Sequence, residues 1–344
     1  MAKNSFTICD QVINPGDRLA IKLITPELYT YTPVNIPIHI INSQKPGPRL
    51  FVCGAIHGDE ITGVEIIRRL LKILATKKLL KGTLIAVPIV NIYGFIYQSR
   101  YLPDRRDLNR SFPGLKKGSL TSRLAKIFMD KVVVNCTHGI DLHSGAIHRR
   151  NLPQIRINLS QPGTVHLAKV FNAPVILNAN LRDGSLRGAA NQIGIPVLVY
   201  EAGEALRFDE VGIRMGVKGI LNVMRGLEML HETPYSQKQR AKNSIVIRSS
   251  IWVRAPRSGI MHSLKSLGKK VEKGEHMGAI ADPFGNEETD VISPRTGIII
   301  GETNNPLATE GEALFHIACF KRVKKAETNQ LDDTKNIATF LEDH

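Results

Sequence analysis

The chain has 344 residues, of which 42% are hydrophobic and 22% are charged, and this composition excludes a disordered or a collagen-like protein. Its apolar runs are too short to cross a bilayer, and its first residues carry no apolar signal core, so we expect neither a membrane protein nor an exported one. The formal net charge of +15 favours anionic partners without selecting among nucleic acid, a membrane surface and small acidic molecules.

The four cysteines are scattered and form no CxxC pair. This spacing predicts neither a disulfide framework nor a thiolate zinc site. Reduced thiols are typical of the cytoplasm, where we expect the protein to be located. The four residues are Cys9, Cys53, Cys136 and Cys319.

The first half of the chain alternates between apolar strands and a helical pattern. Short strands punctuated by prolines fill the first forty residues. Apolar residues then recur at helical spacing from Val64 to Leu74, while Arg68, Arg69 and Lys72 take the opposite face. In chain order we predict a strand over 49–56, a helix over 64–74, a strand over 84–90 and a long basic loop over 91–118.

The alternation continues to about residue 230. Because strands that alternate with helices are typical of parallel sheets covered on both faces, we predict a largely parallel sheet of the α/β class. The predicted elements are a helix over 122–134, a strand over 139–143, a helix over 165–171, a strand over 174–177, a helix over 186–193, a strand over 196–200 and a helix over 211–230.

The pattern changes after a polar linker that ends near residue 243. Glycine and proline turns then separate short strands, without a helical period, and predict a small all-β domain. Two segments of it, 255–260 and 293–298, look like one unit used twice, and the arrangement resembles the hammerhead of biotinyl and lipoyl carrier domains without a lysine hairpin to carry a cofactor. We therefore divide the chain into a catalytic domain at 1–235, a structural β-domain at 244–322 and a polar tail at 323–344.

A histidine and a glutamate stand three residues apart where the first long strand gives way to a helix. In the segment His57-Gly58-Asp59-Glu60, this spacing lets both side chains converge outside the carboxyl end of the sheet, where open α/β folds bind ligands. An imidazole and a carboxylate are two of the three ligands of a His₂Glu zinc site. The third is predicted to be His143, at the end of another strand, with Asp141 as an outer carboxylate that orients the ligands.

A further buried strand ends in Glu201. A carboxylate beside a water that a metal ion activates is suited to act as the general base, because the metal lowers the pKa of that water. Glu204 is the rival candidate, although it stands farther from the strand. The loop over 99–114 carries arginines that could bind a carboxylate in two parallel hydrogen bonds or stabilise an oxyanion.

These motifs together resemble the succinylglutamate desuccinylase and aspartoacylase family, a branch of the zinc carboxypeptidase-like hydrolases. The resemblance spans roughly residues 30–320 and implies a mixed sheet flanked by helices, followed by a small β-domain. The matching segments are Gly54-Ala55-Ile56-His57-Gly58-Asp59-Glu60, Asp107-Leu108-Asn109-Arg110, Asp141-Leu142-His143 and the strand-end Glu201.

The resemblance also implies roles for individual residues. One zinc ion per subunit would be held by His57, Glu60 and His143, with Glu201 as general base and proton carrier. Asn109 and Arg110 would contact the carboxylate end of the substrate, and Arg182 and Arg187 are further candidates to clamp an anionic group. Arg100, which begins the Arg-Tyr pair of the loop, would polarise the scissile carbonyl, with Arg105 and Arg106 as alternatives.

The sequence thus predicts a zinc-dependent amidohydrolase that removes the acyl group from an N-acylated amino acid or a similar small amide. A zinc carboxypeptidase acting on peptides is the alternative, but it needs a long open groove, and a following β-domain favours the small substrate. A nucleic-acid-binding protein is disfavoured because the chain has one tryptophan and no RNA-stacking or zinc-finger motif. The predicted partner is a small anionic substrate, and the sequence allows a homo-oligomer.

Overall fold

The computed structural model describes residues 4–233 and 244–320. The predicted linker and the predicted tail at 323–344 lie outside these ranges. None of the helices within them has the length and apolar character that crossing a bilayer requires.

The middle strands of a large sheet form the centre of the structure. The strand at 83–87 is buried at every residue, and the one at 49–54 at all but its first, which is typical of strands covered on both faces. Between residues 4 and 204 the structure has ten strands: β1 (Phe6–Ile8), β2 (Gln11–Ile13), β3 (Arg18–Ile24), β4 (Asn35–Asn42), β5 (Arg49–Gly54), β6 (Thr83–Val87), β7 (His138–Gly145), β8 (Arg149–Ile157), β9 (Val175–Asn178) and β10 (Val197–Glu204).

The sheet is mixed, which confirms the predicted fold class but corrects the prediction of a largely parallel sheet. Strands β6, β5, β7 and β10 run parallel in that spatial order. On one side β4 is antiparallel to β6, and on the other β8 is antiparallel to β10. The alternation of strands and helices did not reveal β8, which follows β7 after a short turn and leaves space for β10 between them.

Helices cover both faces of this sheet, and the sheet separates the hydrophobic core into two layers. Side chains such as Phe51, Val87 and Phe128 pack on one face, and others such as Val52 and Tyr200 pack on the opposite face. This division follows from the strand period of two, which sends successive side chains to opposite faces. The helices are α1 (Thr62–Leu74), α2 (Ile92–Ile96), α3 (Leu120–Lys131), α4 (Pro162–Phe171), α5 (Leu186–Gln192) and α6 (Glu210–Gly226), with 3₁₀ turns at Leu108–Arg110 and Val133–Asn135.

The described residues after 243 form strands only, as predicted. The strand predicted from residue 245 to 253 is split, because its first part pairs with β9 and its second part pairs with the last strand. The strands are β11 (Ile245–Ile247), β12 (Ser249–Arg254), β13 (Gly259–Ser263), β14 (Lys270–Val271), β15 (His276–Ala281), β16 (Glu288–Ile292), β17 (Gly297–Thr303), β18 (Leu307–Ala308) and β19 (Ala313–Cys319).

Some of these C-terminal strands continue the central sheet. Strand β17 is antiparallel to β8, with Gly301 opposite Asn151, and β12, β19 and β17 extend the same hydrogen-bonded sheet. Strands β13, β15, β16 and β18 form a separate four-stranded sheet. The C-terminal region is therefore joined by main-chain hydrogen bonds to the part of the sheet that precedes residue 205.

A buried histidine lies in this C-terminal region. The ring of His316, which is 4% exposed, stacks on Trp252 with centroids 4.2 Å apart, and its Nε2 lies 2.8 Å from the hydroxyl of Ser250. Burial, reinforced by the charge of Arg156, lowers the pKa of His316 to about 3. In the unfolded chain this imidazole would have the ordinary value near 6.5.

His316 should therefore make stability depend on pH. Below about pH 6.5 the imidazole binds a proton in the unfolded chain but not in the folded chain. The free energy of unfolding therefore decreases as the pH falls. Between pH 7 and pH 5 we expect wild type to lose about 2 kcal/mol more of its free energy of unfolding than His316→Phe, measured by denaturant titration. Parallel pH profiles for the two proteins would contradict this assignment.

Candidate functional site

A cavity of about 300 Å³ lies at the carboxyl ends of β5, β7 and β10. This edge of the sheet is where open α/β folds place their ligands. Its walls combine the ends of these strands with β8, the loop before α3, the start of α5 and the C-terminal region. Glu60, His143, Glu201, Arg156, Arg187 and Trp252 are among its lining residues.

A tight turn carries the first two predicted ligands. The chain leaves β5 and closes a hydrogen bond of 3.1 Å from the backbone N–H of Glu60 to the carbonyl of His57. The turn brings the side chains together, so that Nδ1 of His57 lies 2.7 Å from Oε1 of Glu60. Both side chains are buried.

Strand β7 brings the third predicted ligand to the same carboxylate. Nδ1 of His143 lies 2.8 Å from Oε2 of Glu60, and the backbone N–H of Ser144 donates to that oxygen at 3.2 Å. The other ring nitrogen of His143 lies 2.8 Å from Asp141, which points to the same face of the strand two residues earlier. The ligand atoms of the three residues lie within 4.8 Å of one another.

The other ring nitrogen of His57 also lies beside a second carboxylate, as that of His143 does. Nε2 of His57 lies 3.2 Å from Oδ1 of Asp107, a residue to which the sequence analysis assigned no role. The guanidinium of Arg100 bridges the two carboxylates, donating to Asp107 at 2.9 Å and to Glu60 at 3.2 Å. Each imidazole thus presents Nδ1 to Glu60 and Nε2 to an outer carboxylate.

The electrostatics of this cluster suit a cation. Burial alone would lower the pKa of His57, but the carboxylates of Glu60 and Asp107 outweigh it and raise that pKa. Against burial, Asp141 and Glu60 raise the pKa of His143 well above its usual range. Burial would raise the pKa of Glu60, yet the two imidazoles hold it well below its usual range.

The donor set fits a zinc ion. Two imidazoles and one carboxylate are the ligands of a His₂Glu site, and ligating histidines almost always donate their second N–H to a carboxylate or a carbonyl. Asp107 and Asp141 stand where such outer acceptors belong. A divalent cation would also replace the protons that the surrounding carboxylates favour on the imidazoles.

Comparisons with known proteins agree with this geometry. A sequence model of the succinylglutamate desuccinylase/aspartoacylase catalytic domain matches residues 46–227, which is more than half of the chain. The chain belongs to this family. The resemblance predicted from the sequence motifs is thereby confirmed.

Three individual proteins show the extent of the similarity. Over 147 residues the chain is 34% identical to N-alpha-acetyl-L-2,4-diaminobutyric acid deacetylase of Halomonas elongata, and this alignment spans 41% of the chain and 42% of that protein. The crystal structure of a succinylglutamate desuccinylase/aspartoacylase from Rhodobacter sphaeroides has a TM-score of 0.79 at 25% identity, covering 89% of this chain and 96% of that chain. The product-bound ectoine utilization protein EutE (DoeB) of Ruegeria pomeroyi has a TM-score of 0.77 at 23% identity, covering 90% and 99%, and shares the fold.

Glu201 lies directly beside His143, on the neighbouring strand. The two residues are partners in the parallel pairing of β10 with β7. The carboxylate of Glu201 accepts a hydrogen bond of 2.9 Å from Nδ2 of Asn151, and Nε of Arg156 lies 3.7 Å from its other oxygen. Its rival Glu204 instead lines a different cavity of about 580 Å³, where it accepts from the backbone N–H of His148 and from Asn304.

The arginines of the loop before α3 separate into two groups. Arg100 lines the cavity and contacts the carboxylates of Glu60 and Asp107, whereas Arg105 and Arg106 are exposed and do not line it. Arg110 also lines the cavity, with Nη1 donating to the carbonyl of Asn109 at 2.5 Å. The Asn109 side chain accepts from the backbone N–H of Leu186 at 2.9 Å, which ties the loop to the start of α5.

The two later arginines both reach the cavity. Arg182 is exposed near Arg110 and adds to the positive charge there. Arg187 lies deeper and donates from Nη2 to the carbonyls of Ala179 at 3.2 Å and Asn180 at 2.8 Å. The roles of these residues toward a substrate stay predictions.

Sequence reasoning missed several cavity residues, among them Asn151, Arg156 and Trp252. Asn151 and Arg156 lie in β8, whose interior proline and polar start obscured its strand pattern, although the alternation Ile155-Arg156-Ile157 was a usable signal. Trp252 comes from β12, and its ring stacks on His316 and also faces Arg149, whose guanidinium carbon is 5.8 Å from the ring centroid. Only the docking of the C-terminal region brings it to the cavity.

Gly58, between the two ligands of the turn, should be required for this geometry. A Cβ added there would lie 2.0 Å from the carbonyl carbon of Gly94, in the middle of the approaching helix α2. We expect Gly58→Ala to lower the free energy of unfolding by about 1–3 kcal/mol through this overpacking, measured by denaturant titration. Gly163→Ala is the matched control, because a Cβ there meets nothing within 4 Å, and equal losses in both variants would contradict the steric argument.

Proposed function

We propose that this protein is a zinc-dependent deacylase that hydrolyses the amide bond of an N-acylated amino acid or a similar small amide. The observation that supports this best is the buried cluster of His57, Glu60 and His143 beside the strand-end Glu201. The name of the Halomonas relative, a deacetylase of an N-acetylated amino acid, supports the same reaction class.

His57, Glu60 and His143 would hold the ion in this proposal. Zinc, when bound, supplies a Lewis acid that polarises a carbonyl group and lowers the pKa of water. Asp107 and Asp141 would keep both imidazoles in the tautomer that leaves Nδ1 free to bind. Their hydrogen bonds to the Nε2 atoms also prevent the rings from rotating.

Glu201 would move the proton during hydrolysis. Its carboxylate would accept a proton from the attacking water and then deliver it to the nitrogen of the departing amine. Asn151 fixes one carboxylate oxygen, which leaves the other free for the proton. Glu201 is on the same sheet face as His143, so the proton acceptor and one of the proposed metal ligands are held side by side by neighbouring strands.

Arginines would orient the substrate and stabilise the charge that develops on it. Arg100, beside the ligands, would donate to the carbonyl oxygen as it becomes an oxyanion. Asn109 and Arg110 would bind the carboxylate of the amino acid, with Arg182 and Arg187 as further anion contacts. A mononuclear site in a small, arginine-lined cavity suits a small anionic substrate.

Metal binding tests the ligand set directly. We expect about one equivalent of zinc per chain by elemental analysis, and loss of stoichiometric binding in His143→Ala because a ligand is removed. Asp141→Asn keeps all three ligands and should weaken the zinc affinity by about 10–100-fold in a competition titration. His262→Ala, at an exposed histidine of β13, should bind zinc like wild type, and zinc binding by His143→Ala at the wild-type level would refute the site.

Substitution of each candidate base by glutamine tests which residue carries the proton. Glu201→Gln should lower kcat by about 10²–10⁴-fold on N-acetylated amino acids while its zinc content is unchanged. Glu204→Gln should retain most of the activity per folded molecule, because Glu204 lines the other cavity. The reverse result in steady-state kinetics would assign the base to Glu204.

A further inference from the structure

One of the two outer carboxylates of the metal site has a thiol as its second partner. Oδ2 of Asp141 lies 2.8 Å from Nε2 of His143, and Sγ of Cys53 lies 3.5 Å from Oδ1 of the same carboxylate. Cys53 is fully buried and Asp141 is 1% exposed, so the contact is shielded from solvent. Within residues 4–233 and 244–320, His143 and Cys53 are the only hydrogen-bond partners of this carboxylate.

The strand register places the thiol beside the carboxylate. Cys53 of β5 and Asp141 of β7 are partners in the parallel pairing of these strands, so their side chains are neighbours on one sheet face. On the other side of Asp141, its partner in β10 is Val199, whose side chain has no polar atom. Of the two cross-strand neighbours of Asp141, Cys53 is therefore the one that can donate a hydrogen bond.

Cys53 is suited to this role because its thiol stays protonated. Burial raises the pKa of Cys53 well above its usual range, and the negative charge of Asp141 acts in the same direction. An S–H group is a weak donor, but a charged acceptor strengthens a hydrogen bond. The neutral thiol can therefore hold one oxygen of Asp141 while the other oxygen holds the ring of His143.

The second outer carboxylate is held by stronger donors. Asp107 accepts from the backbone N–H of Asn109 at 2.8 Å and from the guanidinium of Arg100 at 2.9 Å. Among the described residues, neither a backbone N–H nor a guanidinium donates to Asp141. Loss of the Cys53 thiol would thus leave a buried carboxylate oxygen without a donor, which is costly.

We propose that Cys53 is a positioning residue of the metal site, which acts through Asp141 to fix the orientation of His143 for zinc. This inference rests on the zinc site of the proposed function. A carboxylate whose Oδ1 is held cannot rotate freely about its Cβ–Cγ bond, and its Oδ2 then stays in line with Nε2 of the ring. The outer partners of metal-binding histidines influence metal affinity in this way.

Zinc affinity in a competition titration tests this role. Cys53→Ala removes the donor and should weaken zinc binding by about 3–10-fold, the change that corresponds to one hydrogen bond. Cys53→Ser restores a donor and should bind zinc more tightly than Cys53→Ala. Cys136→Ala is the matched control, because Cys136 is a buried thiol of the same hydrophobic layer but donates to the carbonyl of Val132, and its zinc affinity should equal that of wild type.

A double-mutant cycle tests whether the effect passes through Asp141. In Asp141→Ala the thiol has no carboxylate to hold, so the addition of Cys53→Ala should change the zinc affinity by less than about 2-fold. If Cys53→Ala weakened zinc binding as much in this background as in wild type, action through Asp141 would be disproved.

Denaturant titration of the metal-free proteins separates positioning from packing. Cys53→Ala and Cys136→Ala each remove one buried sulfur, so lost packing should lower both free energies of unfolding, whereas zinc affinity should fall only in Cys53→Ala. Cys53→Val, which has no donor but a volume close to that of cysteine, takes the place of Cys53→Ala if the alanine variant does not fold.

Two results would overturn the inference and leave the proposed function intact. One is wild-type zinc affinity in Cys53→Ala, and the other is equal zinc affinity in Cys53→Ala and Cys53→Ser. Absence of zinc binding in wild type would instead refute the zinc site of the proposed function, and the role of Cys53 with it.

Discussion

Two buried imidazoles share the carboxylate of Glu60, and the arrangement of the whole site depends on this contact. Nearly complete burial would make each of these groups unstable by itself, because charges removed from water need partners. Asp107 and Asp141 on the outside and Arg100 across the carboxylates provide them. As a result, each imidazole ring at the sheet edge has a carboxylate at both of its nitrogens, and these contacts fix the orientation of the ring.

The parts of this site that lie at strand ends could be predicted from the sequence. His57, Glu60, His143 and Glu201 each follow an apolar run, and a run of this kind marks both a strand and its end within a few residues. Since β5, β7 and β10 are parallel, their carboxyl ends meet at one edge. Local pattern and one rule of topology are therefore sufficient to group these residues.

The remaining parts depend on contacts between distant segments. Strand β8 could not be placed because its pairing with β10 involves a strand that comes some forty residues later in the chain. The same holds for Trp252, which reaches the cavity only through the pairing of β17 with β8. A register irregularity in β10 likewise separates the carboxylates of Glu201 and Glu204 into different cavities. Sequence spacing alone does not contain such information.

The large sheet is completed by strands from the C-terminal region. Residues 149–151 of β8 and residues 175–177 of β9 are covered on one side by strands that come after residue 243. A truncated protein that ends before those strands would present unpaired amides and carbonyls along both edges, and other copies could join the apolar edge at residues 175–177. Loss of the last quarter of the sequence should therefore lead to aggregation, and a shortened but soluble enzyme is not the expected product.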